Sequence, residues 1–290
     1  MAITASMVKE LRERTGAGMM ECKKVLTQTD GDMEAAIEEL RIKGAAAAEK
    51  KAGRIAAEGV IVSAGSGDEG SLVEINCETD FVAKDDSFNA FSKQVAETVL
   101  SANPADNQAL ADASLASGVG VETARQELIA KIGENVSVRR FVKFDADGGC
   151  VSTYLHGNRI GVMVQLEGGD DQLGRDIAMH IAASNPLSVS EDEMDQDVLT
   201  REKDIFIAQA KESGKPDDII EKMIGGRIKK FLKENTLLGQ PFVKNPDQTV
   251  AQLLSDQGAK VKQMVRFEVG EGIEKREDDF VAEVMAQANA

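Results

Sequence analysis

The sequence predicts an α+β protein: an N-terminal three-helix bundle, a duplicated core of two small antiparallel sheets covered by helices, an inserted helical hairpin and a C-terminal helix. Three observations carry this. Apolar residues recur at helical spacing through the first 44 residues, punctuated by glycines. An order of strand, turn, strand, helix and later strand then occurs twice, and the helices of both passes end alike, in Ser101-Ala102-Asn103-Pro104 and Ala183-Ser184-Asn185-Pro186. Finally, a polar excursion with its own helical stripe interrupts the second pass.

The bundle comprises helices over Ala5 to Thr15 (closed by Gly16), Met19 to Thr27, and Met33 to Lys43, closed by Gly44 after the Asp30-Gly31 turn. Met33, Ile37 and Leu40 form the third helix's apolar stripe. A bundle this small buries a thin core, and such modules more often bind than catalyse. Its first turn sets Met19 and Met20 beside Lys23 and Lys24, either as an adaptable contact surface or as core filler. An Ala-rich basic passage, Ala45 to Arg54, continues as helix toward the core.

The first core pass places strands at Val60 to Ser63, Leu72 to Asn76 and Val138 to Phe144, with helices at Ser87 to Ser101 and Val121 to Lys131. Gly65-Ser66-Gly67-Asp68-Glu69-Gly70 has the spacing of a dinucleotide fingerprint. A strand rather than a helix follows it, however, and two carboxylates would repel a phosphate, so it is a hairpin turn. The second pass places strands at Cys150 to Leu155, Ile160 to Glu167 and Met264 to Val269, with a helix at Asp176 to Ala183. From Glu191 to about Asn235, Ile220, Ile224, Ile228 and Phe231 mark a helical stripe, broken by Ser213-Gly214-Lys215-Pro216-Asp217. Beyond Gly270 and Gly272, Asp278 or Asp279 caps a closing helix containing Phe280 and Val284.

Asn76-Cys77-Glu78-Thr79-Asp80-Phe81-Val82-Ala83-Lys84 sits at the strand-to-helix turn of the first pass, with a large aromatic directly after a carboxylate. Two accounts fit. Thr79 or Asp80 caps the coming helix and Phe81 staples it to the core, or Asp80 and Phe81 face outward toward a partner.

A net charge of −16 argues against a nucleic-acid or anionic-membrane surface and for a protein partner. Residues 1 to 60 hold ten basic and ten acidic side chains, so the remainder, with 24 against 40, carries all of the excess. Three widely spaced cysteines without a CxxC suggest free thiols in a reducing cytosol. Neither a signal peptide nor a run near the ~18 apolar residues of a membrane span is present, so a cytoplasmic protein is expected. Two histidines argue against a multi-histidine metal site, and no cofactor is expected. As an enzyme the chain would have to use Cys77 with His156 as base, a pairing that no spacing supports.

Several motifs resemble bacterial elongation factor Ts in order along nearly the whole chain. They are Arg12-Glu13-Arg14-Thr15-Gly16-Ala17-Gly18-Met19-Met20 with Cys22-Lys23-Lys24, Thr79-Asp80-Phe81-Val82, Lys131-Ile132-Gly133-Glu134-Asn135, His180-Ile181-Ala182-Ala183, Gly239-Gln240-Pro241-Phe242-Val243 and Arg266-Phe267-Glu268-Val269-Gly270-Glu271-Gly272. The resemblance implies a guanine-nucleotide exchange factor for the GTPase elongation factor Tu, without covalent chemistry. It implies that Asp80 and Phe81, flanked by Thr79 and Val82, form a wedge near the partner's magnesium site. It places further contacts on Arg12, Met19, Met20 and Lys23, on Lys51, Ile132 and His156, and on Val243.

The expected division is a three-helix module and linker at 1–55, core halves at 56–145 and at 146–190 with 236–270, a hairpin at 191–235 and a C-terminal module at 271–290. The family also implies a coiled-coil homodimer through that hairpin and a docking arm from Phe280. The competing class is a protein-binding scaffold, because the three-helix module is also similar to ubiquitin-associated domains.

Overall fold

The computed structural model describes residues 2–211 and 217–274. The closing helix expected from Phe280 and the break expected at Ser213 to Pro216 lie outside the described residues. The N-terminal bundle consists of α1 (Ala5–Thr15), α2 (Met19–Gln28) and α3 (Met33–Lys51). Thr4 and Asp32 cap α1 and α3 by accepting the amides of Met7 and Ala35. Val8, Leu11, Cys22, Val25, Leu26 and Ala36 form its core, with Met33, Ile37 and Leu40 against it.

The expectation that α3 stops at Gly44 is wrong. The helix runs unbroken through it into the Ala-rich passage that was itself expected as helix, and ends at Lys51. Gly44 is buried against α6 (Val121–Ile132), where a β-carbon would stand 3.7 Å from the Gln126 carbonyl and 3.9 Å from Ala130. The glycine thus serves close helix packing rather than termination, which is worth the helix-propensity cost of about 1 kcal/mol.

The core follows as β1 (Glu58–Gly65), β2 (Glu69–Cys77), α4 (Asp86–Ala102), α5 (Asn107–Asp112), α6 and β3 (Val136–Asp145). A second series comprises β4 (Cys150–His156), β5 (Ile160–Glu167), α7 (Asp171–Ser184), α8 (Gln196–Lys211), α9 (Asp217–Asn235), β6 (Pro241–Phe242), β7 (Asn245–Thr249), α10 (Val250–Asp256) and β8 (Lys260–Glu268). The sheets are small: β1-β2-β3, β4-β5-β8 and the pair β6-β7. β4 and β5 are antiparallel, in register from Cys150 opposite Leu166 to His156 opposite Ile160. Gly65 ends β1 and Glu69 begins β2, so the glycine-rich stretch is a hairpin turn. α5, β6, β7 and α10 were not expected, since Asn245-Pro246-Asp247 has none of a strand's alternation.

By compactness the described residues divide into one unit of 2–60, 73–141 and 268–274, and a second of 61–72, 142–211 and 217–267. In the first, Val73, Ile75 and Cys77 of β2 are buried, as are Phe88, Phe91, Val95 and Val99 of α4. In the second, Val162, Val164 and Leu166 of β5 pack with Ile177, Ala178 and Ile181 of α7 and with Val250, Leu254 and Val261.

The repetition reaches individual atoms. A β-carbon on Gly70 would stand 2.9 Å from Val151 and 3.0 Å from Met163, while one on Gly161 would stand 2.4 Å from Ile61 and 2.9 Å from Leu72. Each hairpin therefore opens a glycine to the other's side chains within the second unit. α4 and α7 both end on an asparagine in the left-handed region, Asn103 (φ 45°) and Asn185 (φ 44°), whose amides return to Val99 and Ile181. Among the described residues no helix is long and apolar enough to cross a membrane.

Candidate functional site

β2 delivers the chain into Glu78 to Asp85 with Cys77 buried and Phe81 outside. Phe81 is 80% exposed, although aromatic burial is a main source of core stability. The stapled account is excluded, and so is capping by Thr79 or Asp80. Asp85 is the N-cap of α4, its Oδ1 accepting the amides of Ser87 (2.8 Å) and Phe88 (3.1 Å). The Phe88 amide foremost holds the Asp85 carboxyl below the usual carboxylate range. A short 3-10 turn, Val82–Lys84, follows Phe81.

The exposed pair rests on a rigid base. The Thr79 amide donates to Glu134 Oε2 (3.0 Å) and its hydroxyl to Oε1 of the same carboxylate (2.7 Å), while Thr79 Oγ1 accepts the Val82 amide (3.3 Å). Glu78 Oε1 accepts the Asn135 amide at 2.6 Å, and the Asn135 side chain donates to the carbonyl of Arg54 at 2.8 Å. Val82 is buried beneath the turn. Asp80 is exposed and pairs with Lys84 at 2.7 Å, a solvent-screened contact worth little to stability.

The turn that supplies Glu134 is made by Gly133, which closes α6 at φ 88° and returns its amide to Ile129. The Lys51 ammonium lies 3.8 Å from where a Gly133 β-carbon would stand. Thr79 and Val82 thus belong to one hydrogen-bond network in the first unit, with Asp80 and Phe81 exposed between them, while Lys51 lies beside the Gly133 turn and the half-buried Ile132 is the residue before it. Glu78, Glu134, Asn135 and Arg54, which hold that network, were not foreseen. The only sequence signal for two of them was the motif containing Glu134 and Asn135.

Met19 (58% exposed) and Met20 (79% exposed) begin α2 and point outward, which excludes the core account of both. Arg12 and Lys23 are exposed on α1 and α2. The two remaining residues lie in the second unit on separate connections. His156 is exposed at the end of β4, with the Tyr154 hydroxyl 3.2 Å from its Nδ1. Val243 is 44% exposed after β6.

The thiol account of Cys77 finds no chemical support. Burial first, and then the charges of Glu134 and Glu58, push its pKa up to about 12, so the nucleophilic thiolate is not populated near neutrality. Its Sγ donates to the Thr79 carbonyl at 3.2 Å. Among the described residues no group of three or more His, Cys, Asp or Glu could hold a metal ion.

Comparison with known proteins finds relatives of the chain as a whole. The family profile described as "Elongation factor TS" matches residues 78–271, a stretch that begins at the Glu78 connection. The chain is 61% identical over 290 residues to elongation factor Ts of Alkalilimnicola ehrlichii, covering 99% of both chains. It is 62% identical over 291 residues to elongation factor Ts of Thioalkalivibrio sulfidiphilus, again with 99% of both covered, and 57% identical to that of Methylococcus capsulatus over the whole of both.

Proposed function

The chain belongs to the elongation factor Ts family of translation elongation factors, and from that premise we propose that it is a guanine-nucleotide exchange factor that binds elongation factor Tu and promotes GDP release, without covalent chemistry of its own. The observation that carries this is Phe81, an aromatic side chain 80% exposed beside the carboxylate of Asp80 on a base tied down by Glu134. A fixed base lets an exposed aromatic exert force on a partner rather than fold away from it.

In this reading Asp80 and Phe81 enter the partner near its magnesium and phosphate site. Magnesium and phosphate contacts supply much of a bound nucleotide's affinity, so a small displacement of either weakens GDP. Linkage makes the effect mutual: a factor that weakens GDP is itself weakened by incoming nucleotide to the same degree. Exchange is then a cycle of reciprocal displacement. The binding energy that offsets the lost nucleotide contacts comes from a wide surface: Arg12, Met19, Met20 and Lys23 on the bundle, Lys51 and Ile132 beside the wedge, and His156 and Val243 on the second copy. The exposed Ile205 and Ile219 of the α8–α9 hairpin are the apolar residues it would offer to a second copy of this chain.

The test is release of a fluorescent GDP from elongation factor Tu on mixing with this protein. Release is expected to accelerate strongly; unchanged release overturns the exchange reading in favour of a scaffold that binds through its bundle. Phe81→Ala is expected to slow stimulated release by about tenfold, about 1.4 kcal/mol of barrier. Its circular dichroism and melting temperature should stay at the wild-type values, because the ring contributes nothing to the core.

A further inference from the structure

A neutral polar relay inside the second unit joins the end of the inserted hairpin to Val243. The Gln240 amide donates from Nε2 to the Glu234 carbonyl near the end of α9 (2.8 Å) and to the Ser184 carbonyl at the end of α7 (3.5 Å). Its Oε1 lies 2.9 Å from His180 Nε2, and His180 Nδ1 is 3.2 Å from the Val243 amide nitrogen. A backbone amide can only donate, so Nδ1 is bare and Nε2 carries the proton that Gln240 accepts. Burial pushes the imidazole's pKa down, with the Gln240 bond partly offsetting it, in keeping with a neutral ring.

His180 is fully buried, with its ring 5.9 Å from that of Phe242. Its neighbours on the same face of α7, Ile177 and Ile181, show what core packing alone selects there. A buried imidazole is tolerated only with its polar atoms satisfied. What this imidazole gains is a fixed course for Gln240 to Val243: Phe242 goes into the core and the next residue, Val243, is left 44% exposed with its backbone bonded to the ring.

Resting on the exchange function proposed above, we propose that His180 is a positioning residue for partner binding, which holds the Val243 backbone so that its exposed side chain meets elongation factor Tu. His180 touches neither partner nor nucleotide; it acts through Val243.

His180→Ala would open a cavity and confound folding with function. Two amide replacements separate the bonds. His180→Asn keeps an acceptor near the Nδ1 position, facing Val243; His180→Gln keeps a donor near the Nε2 position, facing Gln240. Stimulated GDP release is measured with the full chain over a range of its concentrations, together with thermal melting. His180→Gln is expected to raise the concentration for half-maximal stimulation about fivefold and leave the maximal rate unchanged, with His180→Asn near wild type. Both should melt at similar temperatures. In a Val243→Ala background, His180→Gln should add nothing further. An equal rise in both variants, a fall in maximal rate, or a His180→Gln effect that persists without the Val243 side chain overturns the positioning role. A wild-type chain that leaves release unaffected overturns the exchange function itself, and the positioning role falls with it.

Discussion

The two copies of the core differ most where each passes from its second strand to its covering helix. In the first, Glu78 to Lys84 separate Cys77 of β2 from Asp85, the N-cap of α4; in the second, Gly168 and Gly169 alone separate Glu167 of β5 from Asp170, the N-cap of α7. The short connection turns on two glycines at φ 72° and 78° and offers no side chain. The long one carries the exposed Phe81 and the Glu134 contacts beneath it. One fold therefore makes the same junction twice, and does so once without any aromatic. Phe81 is not a folding requirement, which is why it calls for a partner.

A second contrast lies inside the strands. Four residues after Gly70 and Gly161 stand Glu74 and Gln165, both buried. Glu74 accepts from Arg139 (2.9 Å), Arg140 (2.6 Å) and the Gly270 amide (2.8 Å). Gln165 instead donates to the Ala146 carbonyl (3.2 Å) and accepts from Gln263 (2.8 Å). Burial opposes the Glu74 charge, but the Gly270 amide and the two guanidinium groups outweigh it and hold the carboxyl below its ordinary value.

Exchanging these residues gives the largest expected effects on stability. Glu74→Gln should cost about 3 kcal/mol in denaturant unfolding, the lower end for a broken buried pair, because Arg139 and Arg140 remain 27% and 31% exposed. A carboxyl lowered by folding contributes stability above its ordinary value of 4.5 that is lost as pH falls through the folded pKa. Wild type should therefore lose stability on acidification below 4.5 more steeply than Glu74→Gln does. The carboxyl introduced by Gln165→Glu should behave oppositely to that of Glu74: buried against a carbonyl, it costs stability relative to wild type as pH rises above its ordinary range, because desolvation raises its pKa. A Gln165→Glu protein that gains stability relative to wild type as pH rises, as the Glu74 carboxylate makes its own site do, would erase the contrast between the copies.

Grafting the short connection into the first copy tests the other difference. Replacing Glu78 to Lys84 by Gly-Gly reproduces the second copy's junction and removes the Thr79–Glu134 contacts with the aromatic. Stimulated GDP release should fall about 100-fold, about 2.7 kcal/mol of barrier, in a protein whose circular dichroism still reports both sheets and their helices. A graft that exchanges nucleotide at the wild-type rate would move the function away from Phe81.

Much of this division could be read from residue pattern. Strand alternation and the paired Asn-Pro endings disclosed the duplication, because buried faces and left-handed caps impose local residue choices. What escaped depended on partners distant in the chain. Gly44 looked like a helix stop because its neighbour Ala130 lies on another helix. Asp85, rather than Thr79, caps α4, since Thr79 is already engaged by Glu134, 55 residues away. The exposure of Met19 and Met20 was likewise undecidable in a small bundle where methionine fills cores equally well. The prominence of Phe81 was legible as a residue type; the base that stiffens it was not.

The smallest effects come from the two caps, and they sharpen the comparison most. Asp85 Oδ1 accepts the amides of Ser87 and Phe88, and Asp170 Oδ1 accepts the Leu173 amide at 2.8 Å. Asp85→Ala and Asp170→Ala each remove one N-cap and should each cost about 1 kcal/mol in unfolding. Their consequences for exchange should differ. Asp85 closes the connection that carries Phe81, and its backbone amide returns to Val82 at 2.9 Å, so loosening the cap loosens the far end of that connection. Asp170 closes a turn that presents nothing. At matched, saturating concentrations, Asp85→Ala should slow stimulated GDP release about threefold and Asp170→Ala should leave it at the wild-type rate. Equal slowing by both would mean that exchange follows global stability, and the long connection would lose its claim to a separate role.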